Sequence, residues 1–206
     1  MQKQSLIYRH VFIYRSVMNL LYGGGYSERF KKIELLLKKL EPSSLLELCF
    51  GDTYIAAYCK RNDILWQGVD INLSFVNTAV RKGFSAWQAD LSCVTNLPNA
   101  DVVVMSGSLY HFNEQVHPLL KLILSSSRNF ILSEPIKNIS SSKGIIGKMG
   151  HLLSNAGKGK ESFRYDENSL IQMLDRESKL LFFSYEVVDY FKKDILIAIK
   201  KNEPDT

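Results

Sequence analysis

The chain has 206 residues, 46% apolar and 23% charged, with a formal charge of +5. A chain of this length buries about 70% of its unfolded surface, so it needs no disulfide or metal to hold a core. Cys49, Cys59 and Cys93 show no zinc-ligand spacing, and no run of about 18 uncharged apolar residues exists to cross a membrane.

Arg9, His10 and Arg15 interrupt every candidate signal core, and unpaired thiols suit a reducing compartment, so a cytoplasmic location is expected. Residues 6–21 read as a helix, with Ile7, Val11, Tyr14, Met18 and Leu21 on one face, ending at Gly23-Gly24-Gly25. A second helix spans 27–40 with Ser27 as its N-cap, and Pro42 closes it. Then short apolar runs alternate with helical patterns. Strands are predicted at 44–49, 64–70, 84–89, 101–105 and 129–134, and helices at 53–61, 73–82 and 114–126. Such alternation builds crossover units, hence a parallel sheet covered on both faces.

Residues 136–162 break the rhythm with Ser140-Ser-Ser-Lys and scattered glycine and lysine, and read as an insertion or lid with a weak apolar stripe at 145–153. A helix at 166–176 follows, then strand-like runs at 180–188 and 195–200 too close for a crossover, so they pair as an antiparallel hairpin. The expected architecture is one α/β domain over 1–206: a seven-stranded, mostly parallel, doubly wound Rossmann-like sheet. It divides into an N-terminal helical region (1–41), a binding core (42–135), the insertion (136–162) and a terminal helix with hairpin (163–206).

In open parallel sheets, ligands sit beyond the carboxyl ends of the strands. The residues ending these strands are therefore informative. Glu47-Leu-Cys49-Phe-Gly51 leads from the first strand into a turn where glycine admits a ligand without a Cβ in the way. A buried charge such as Glu47 needs a partner. Nineteen residues after Gly51, Asp70 ends the second strand, and an acceptor-only carboxylate there suits the two hydroxyls of a ribose. Asp90, followed by Leu91, ends the third strand and suits an adenine amine; a turn-forming aspartate is the plainer alternative. The fourth strand ends at Ser106 and leads to Tyr110 and His111; the fifth ends at Glu134.

These segments resemble the class I, Rossmann-like S-adenosylmethionine-dependent methyltransferases over about residues 40–200. Glu47-Leu-Cys-Phe-Gly51 is similar to the acidic, glycine-rich first motif, Val69-Asp70 to the second, Ala89-Asp90-Leu91 to the third, and 101–111 to the fourth strand and its loop. Ile131-Leu-Ser-Glu-Pro135 resembles the fifth, and a terminal hairpin is that family's usual ending. The sequence departs at the glycines, which read Cys49, Gly51 and Thr53 where the family repeats glycine. The resemblance implies S-adenosyl-L-methionine as cofactor, held by Glu47, Cys49, Gly51, Asp70, Asp90, Leu91 and Ser106. It implies an acceptor near Tyr110, Glu134 and Tyr26, with His111 as candidate general base.

Nucleic acid is not the expected acceptor, because the fourth strand is followed by Ser106-Gly-Ser-Leu-Tyr110 rather than an Asn/Asp-Pro-Pro-aromatic run. A small molecule or a lipid- or sugar-linked metabolite is expected, with peripheral membrane contact left open. Residues 135–160 hold five lysines and no acid, which would suit an anionic or partly greasy acceptor. Two other readings stand beside this one. One is a methyltransferase-like binding module without catalysis. The other is a nicotinamide-dependent oxidoreductase, disfavoured by the missing G-x-G-x-x-G.

Overall fold

Two helices precede the sheet in the computed structural model, which describes residues 11–136, 163–191 and 193–203. They are α1 (Val11–Leu21) and α2 (Tyr26–Leu40). The start of the first predicted helix and the stripe at 145–153 lie outside the described residues. The second helix begins one residue earlier than expected, capped by Gly25 without a side-chain bond, so Ser27 is not its N-cap. It ends at Glu41 in the left-handed region, just before Pro42. Its inner face carries Tyr26, Phe30, Ile33 and Leu37, and among them a cation, Arg29.

The core alternates β1 (Ser44–Leu48), α3 (Tyr54–Arg61), β2 (Leu65–Asp70), α4 (Leu73–Arg81), β3 (Ser85–Gln88), β4 (Val102–Ser106), α5 (Val116–Ser126) and β5 (Asn129–Pro135). After the insertion come α6 (Glu167–Leu181), β6 (Phe183–Phe191) and β7 (Asp194–Lys201). The sheet order is β3-β2-β1-β4-β5-β7-β6. The first five strands are parallel; β7 inserts antiparallel beside β5, and β6 pairs antiparallel to β7 at the edge. This is the seven-stranded Rossmann-like arrangement the sequence predicts.

Period-two alternation sorts the strand side chains into two cores. Leu46, Leu48, Val103, Met105, Phe130 and Leu132 face α5 and α6, meeting Leu120, Ile123, Leu170 and Leu174. Leu45, Val102, Val104 and Ile131 face the other way, onto Ile33 and Leu37 of α2, Ile55 of α3 and Phe75 and Ala79 of α4. Gly68 in β2 is a requirement of this packing. A Cβ there would stand 2.2 Å from the Trp66 ring and 2.8 Å from Phe50.

The C-terminal boundaries differ from expectation. The terminal helix runs to Leu181 rather than 176, and β6 starts at Phe183 rather than 180. Asp166 starts that helix with a capping box, accepting from Ser169 N–H at 2.8 Å, and Phe182 ends it in the left-handed region. Sequence pattern cannot separate the apolar Leu180-Leu-Phe-Phe run into helix and strand. A 3-10 turn at Leu109–Phe112, absent from the sequence reading, follows β4.

Candidate functional site

The carboxyl edge of β1, β2 and β4 is where the strands end and the loops begin. Gly51, at φ +55, donates its N–H to Asp70 Oδ2 at 3.0 Å, and Asn72 N–H donates to Oδ1 at 2.8 Å. The turn after β1 and the end of β2 are thereby joined. Asp70 is buried, and burial pushes its carboxyl up to about 6 against the pull of these two N–H groups. Cys49 also adopts a left-handed backbone, φ +54, which costs a side-chain-bearing residue roughly 1–2 kcal/mol. Thr53, the third glycine position of the resemblance, sits at φ −94 as N-cap of α3, so no glycine is needed there; Lys82 Nζ donates to its hydroxyl at 2.8 Å.

Glu47 lies beneath the turn. One carboxylate oxygen accepts from Trp66 Nε1 at 2.8 Å, and the other, buried, has no hydrogen-bond partner among the described residues. Desolvation pushes its carboxyl well above the usual range. Glu47 thus braces the turn through Trp66.

From above, α1 closes on the same turn. Tyr14 lies against the bare face of Gly51, its hydroxyl 3.2 Å from where a Cβ would stand, and its ring meets Phe75 at 5.1 Å. Arg15 forks onto Asp52 through Nε and Nη2, the latter at 2.6 Å, and stacks over Tyr54. Neither contact was expected from sequence, where Tyr14 counted only as a position on an apolar stripe.

Asp90 ends the β3 segment beside Asp70, whose carbonyl accepts from Ala89 N–H at 3.2 Å. Its own Oδ1 accepts from Ser92 N–H at 3.0 Å, the turn-forming geometry that was the plainer alternative. Leu91 is buried in the α5-side core.

On the neighbouring strand, β4 ends at Ser106, whose buried hydroxyl oxygen has no hydrogen-bond partner among the described residues. Gly107 follows at φ +69, its N–H bound to the Ser133 carbonyl. Arg29 Nη1 lies 2.8 Å from where a Gly107 Cβ would stand. Arg29 is anchored by Asp194 and by the Tyr22 hydroxyl, which itself donates to Asp194 at 3.0 Å.

Glu134 is fully buried beneath this loop and accepts from Leu109 N–H at 3.1 Å and Tyr110 N–H at 3.0 Å. It caps the 3-10 turn rather than lining a cleft. Burial pushes its carboxyl up to about 8. The turn presents Tyr110 and His111 with their rings 3.9 Å apart, and Arg164 stacks on Tyr110. Tyr26, expected near the acceptor, is 3% exposed and packed among Tyr14, Tyr22, Phe30 and Tyr54. It belongs to the helical core. The structure therefore brings Glu47, Cys49, Gly51 and Asp70 together on one side and Ser106, Tyr110, His111 and Glu134 on the other.

Arg29 was legible in principle, as a lone cation on the buried stripe of α2, four residues before Ile33. No helix among the described residues is long and apolar enough to cross a membrane.

No family model and no curated protein sequence matches the chain. Solved structures do. The plantazolicin methyltransferase BpumL, in complex with SAH, superposes with a TM-score of 0.68 at 13% identity, covering 92% of this chain and 90% of its own. The magnesium protoporphyrin IX methyltransferase ChlM from Synechocystis PCC 6803, with bound SAH, gives 0.62 at 15% identity, covering 92% and 87%. The methyltransferase domain of bacterial CtHen1-C gives 0.65 at 15%, covering 85% and 97%. What this chain shares with them at such identities is the class I methyltransferase fold.

Proposed function

We propose that this protein is an S-adenosylmethionine-dependent methyltransferase acting by direct transfer on a small-molecule or lipid- or sugar-linked acceptor. One contact carries the reading: the Gly51 N–H to Asp70 bond, which fixes a glycine turn and a strand-ending carboxylate at one sheet edge. The fold, similar to that of methyltransferases solved with SAH, supports it. An antiparallel β7 sets the sheet apart from the all-parallel dinucleotide-binding order.

The residues fit the cofactor. Each Asp70 oxygen accepts one backbone N–H and keeps a lone pair, so the pair can take both ribose hydroxyls in fixed positions. Cys49 and Gly51 would supply backbone at the turn, with Glu47 holding that turn from below. Asp90 and Leu91 would border the adenine, and the Ser106 hydroxyl, without a hydrogen-bond partner among the described residues, would meet the far end of the ligand. Arg29, neutralised by Asp194, would back Gly107 there.

When bound, the cofactor supplies a methyl group already activated on a sulfonium. The chain's residues then need to align an acceptor and exclude water rather than form a covalent intermediate. Tyr110 and Arg164 would hold the acceptor. His111 would take a proton from an alcohol or phenol acceptor and is dispensable for an amine. We place the protein in the cytoplasm, consistent with cysteines that form no disulfide among the described residues.

Calorimetry with S-adenosylmethionine, S-adenosylhomocysteine and NAD tests the reading. Binding of the first two without NAD is the expected result; NAD binding alone would overturn it. A non-catalytic binding module is favoured by one observation, the Tyr14 ring on the open face of Gly51, and predicts no heat with any of the three.

A further inference from the structure

After the insertion the chain returns as Phe163-Arg164-Tyr165 against the loop that follows β4. Tyr165 is buried in the same core as Tyr110, with the Phe163 ring edge-on to it at 4.8 Å. Between them the Arg164 guanidinium lies over the Tyr110 ring, its carbon 3.5 Å from the ring centre. The Tyr110 ring is thus shared by this charge and by His111, whose ring centre lies 3.9 Å from its own.

The other arginines near this edge are spoken for: Arg15 by Asp52, Arg29 by Asp194 and Arg176 by Glu177. No carboxylate among the described residues pairs with Arg164; its Nη1 donates to the Phe163 carbonyl at 2.6 Å. Glu134 beneath the loop is occupied by the Leu109 and Tyr110 N–H groups. A guanidinium has five N–H donors around its edge, and stacking uses only its face. The fork that remains matches two oxygens of a carboxylate or phosphate.

We infer that Arg164 selects acceptors bearing an oxyanion, a carboxylate or a phosphate, beside the atom to be methylated. Naming the ligand an acceptor rests on the methyltransferase reading; the oxyanion site itself does not.

The test titrates benzoate, phenyl phosphate and the neutral benzamide into the protein, with and without saturating S-adenosylhomocysteine, by calorimetry. At least one oxyanion is expected to bind about tenfold or more tightly than benzamide, in line with a charge-assisted fork. Which of the two binds more tightly tells carboxylate from phosphate. Arg164→Leu erases that preference, and Arg164→Lys, which keeps the charge without the fork, retains part of it. S-adenosylhomocysteine affinity stays unchanged in both variants, which also shows them folded. Equal binding of the three compounds, no binding of any, or an oxyanion preference surviving in Arg164→Leu overturns the inference. A protein that ignores S-adenosylhomocysteine yet binds oxyanions through Arg164 would instead refute the methyltransferase reading and leave the site standing.

Discussion

Around Gly51 the chain is held from two directions: Glu47 and Trp66 press from the sheet below, while Tyr14 and Arg15 close from α1 above. Around Ser106 the Glu134 side chain holds Leu109 and Tyr110 from below, and Arg164, which pairs with no carboxylate among the described residues, lies over the Tyr110 ring. In the proposed function the first region would grip the cofactor and the second would select the acceptor.

The largest expected effect separates the halves by pH. Both Asp70 and Glu134 keep their protons to higher pH folded than unfolded, up to about 6 and about 8. Between an unfolded value near 4 and those values the folded state binds more protons, so stability falls as pH rises. Urea midpoints should drop between pH 4 and 8 by the equivalent of a few kcal/mol. The Asp70 share is spent by about pH 6 and the Glu134 share by about 8. Glu47, also raised by burial, adds to the fall, so Glu134→Gln should reduce the slope approaching pH 8 without abolishing it; a slope unchanged by that variant would mean Glu134 contributes nothing to it.

Asp70→Ala should cost about 100-fold in S-adenosylhomocysteine affinity, the worth of two hydrogen bonds to a charged group. Calorimetry reads it directly, and a loss under threefold would remove Asp70 from the grip. Glu134→Gln offers one acceptor where two N–H groups need one each, so the Tyr110 turn loosens. Turnover should fall by about tenfold while cofactor affinity holds. Equal losses in both would show the halves to be one unit. Cys49→Gly gives the smallest change. It relieves the left-handed strain but adds unfolded-state entropy, leaving stability within about 1 kcal/mol and raising cofactor affinity a few-fold.

The grip was more legible than the selecting half. Strand ends could be read because buried parallel strands are continuous apolar runs, and Gly51 and Asp70 stand at two of those ends. The nineteen-residue separation becomes a 3.0 Å bond because Asp70 is the last residue of β2 and Gly51 lies in the turn that follows its parallel neighbour β1. Tyr26 misled by adjacency to the triple glycine: helical geometry turns it onto the same inner face as Phe30 and Ile33. Glu134 ends a strand as expected, but its partners are backbone groups 24 and 25 residues away in a 3-10 turn that no periodicity announces. Arg164 on Tyr110 joins segments separated by the insertion, and no local pattern encodes such a meeting.

The tie between Arg29 and Asp194 spans 165 positions of chain. During synthesis the early helix emerges with a cation on its greasy side and nothing to neutralise it. Its countercharge sits on β7, so seating α2 with that cation neutralised requires a strand 165 positions later to be in place, and the two ends of the described fold are tied into one cooperative unit.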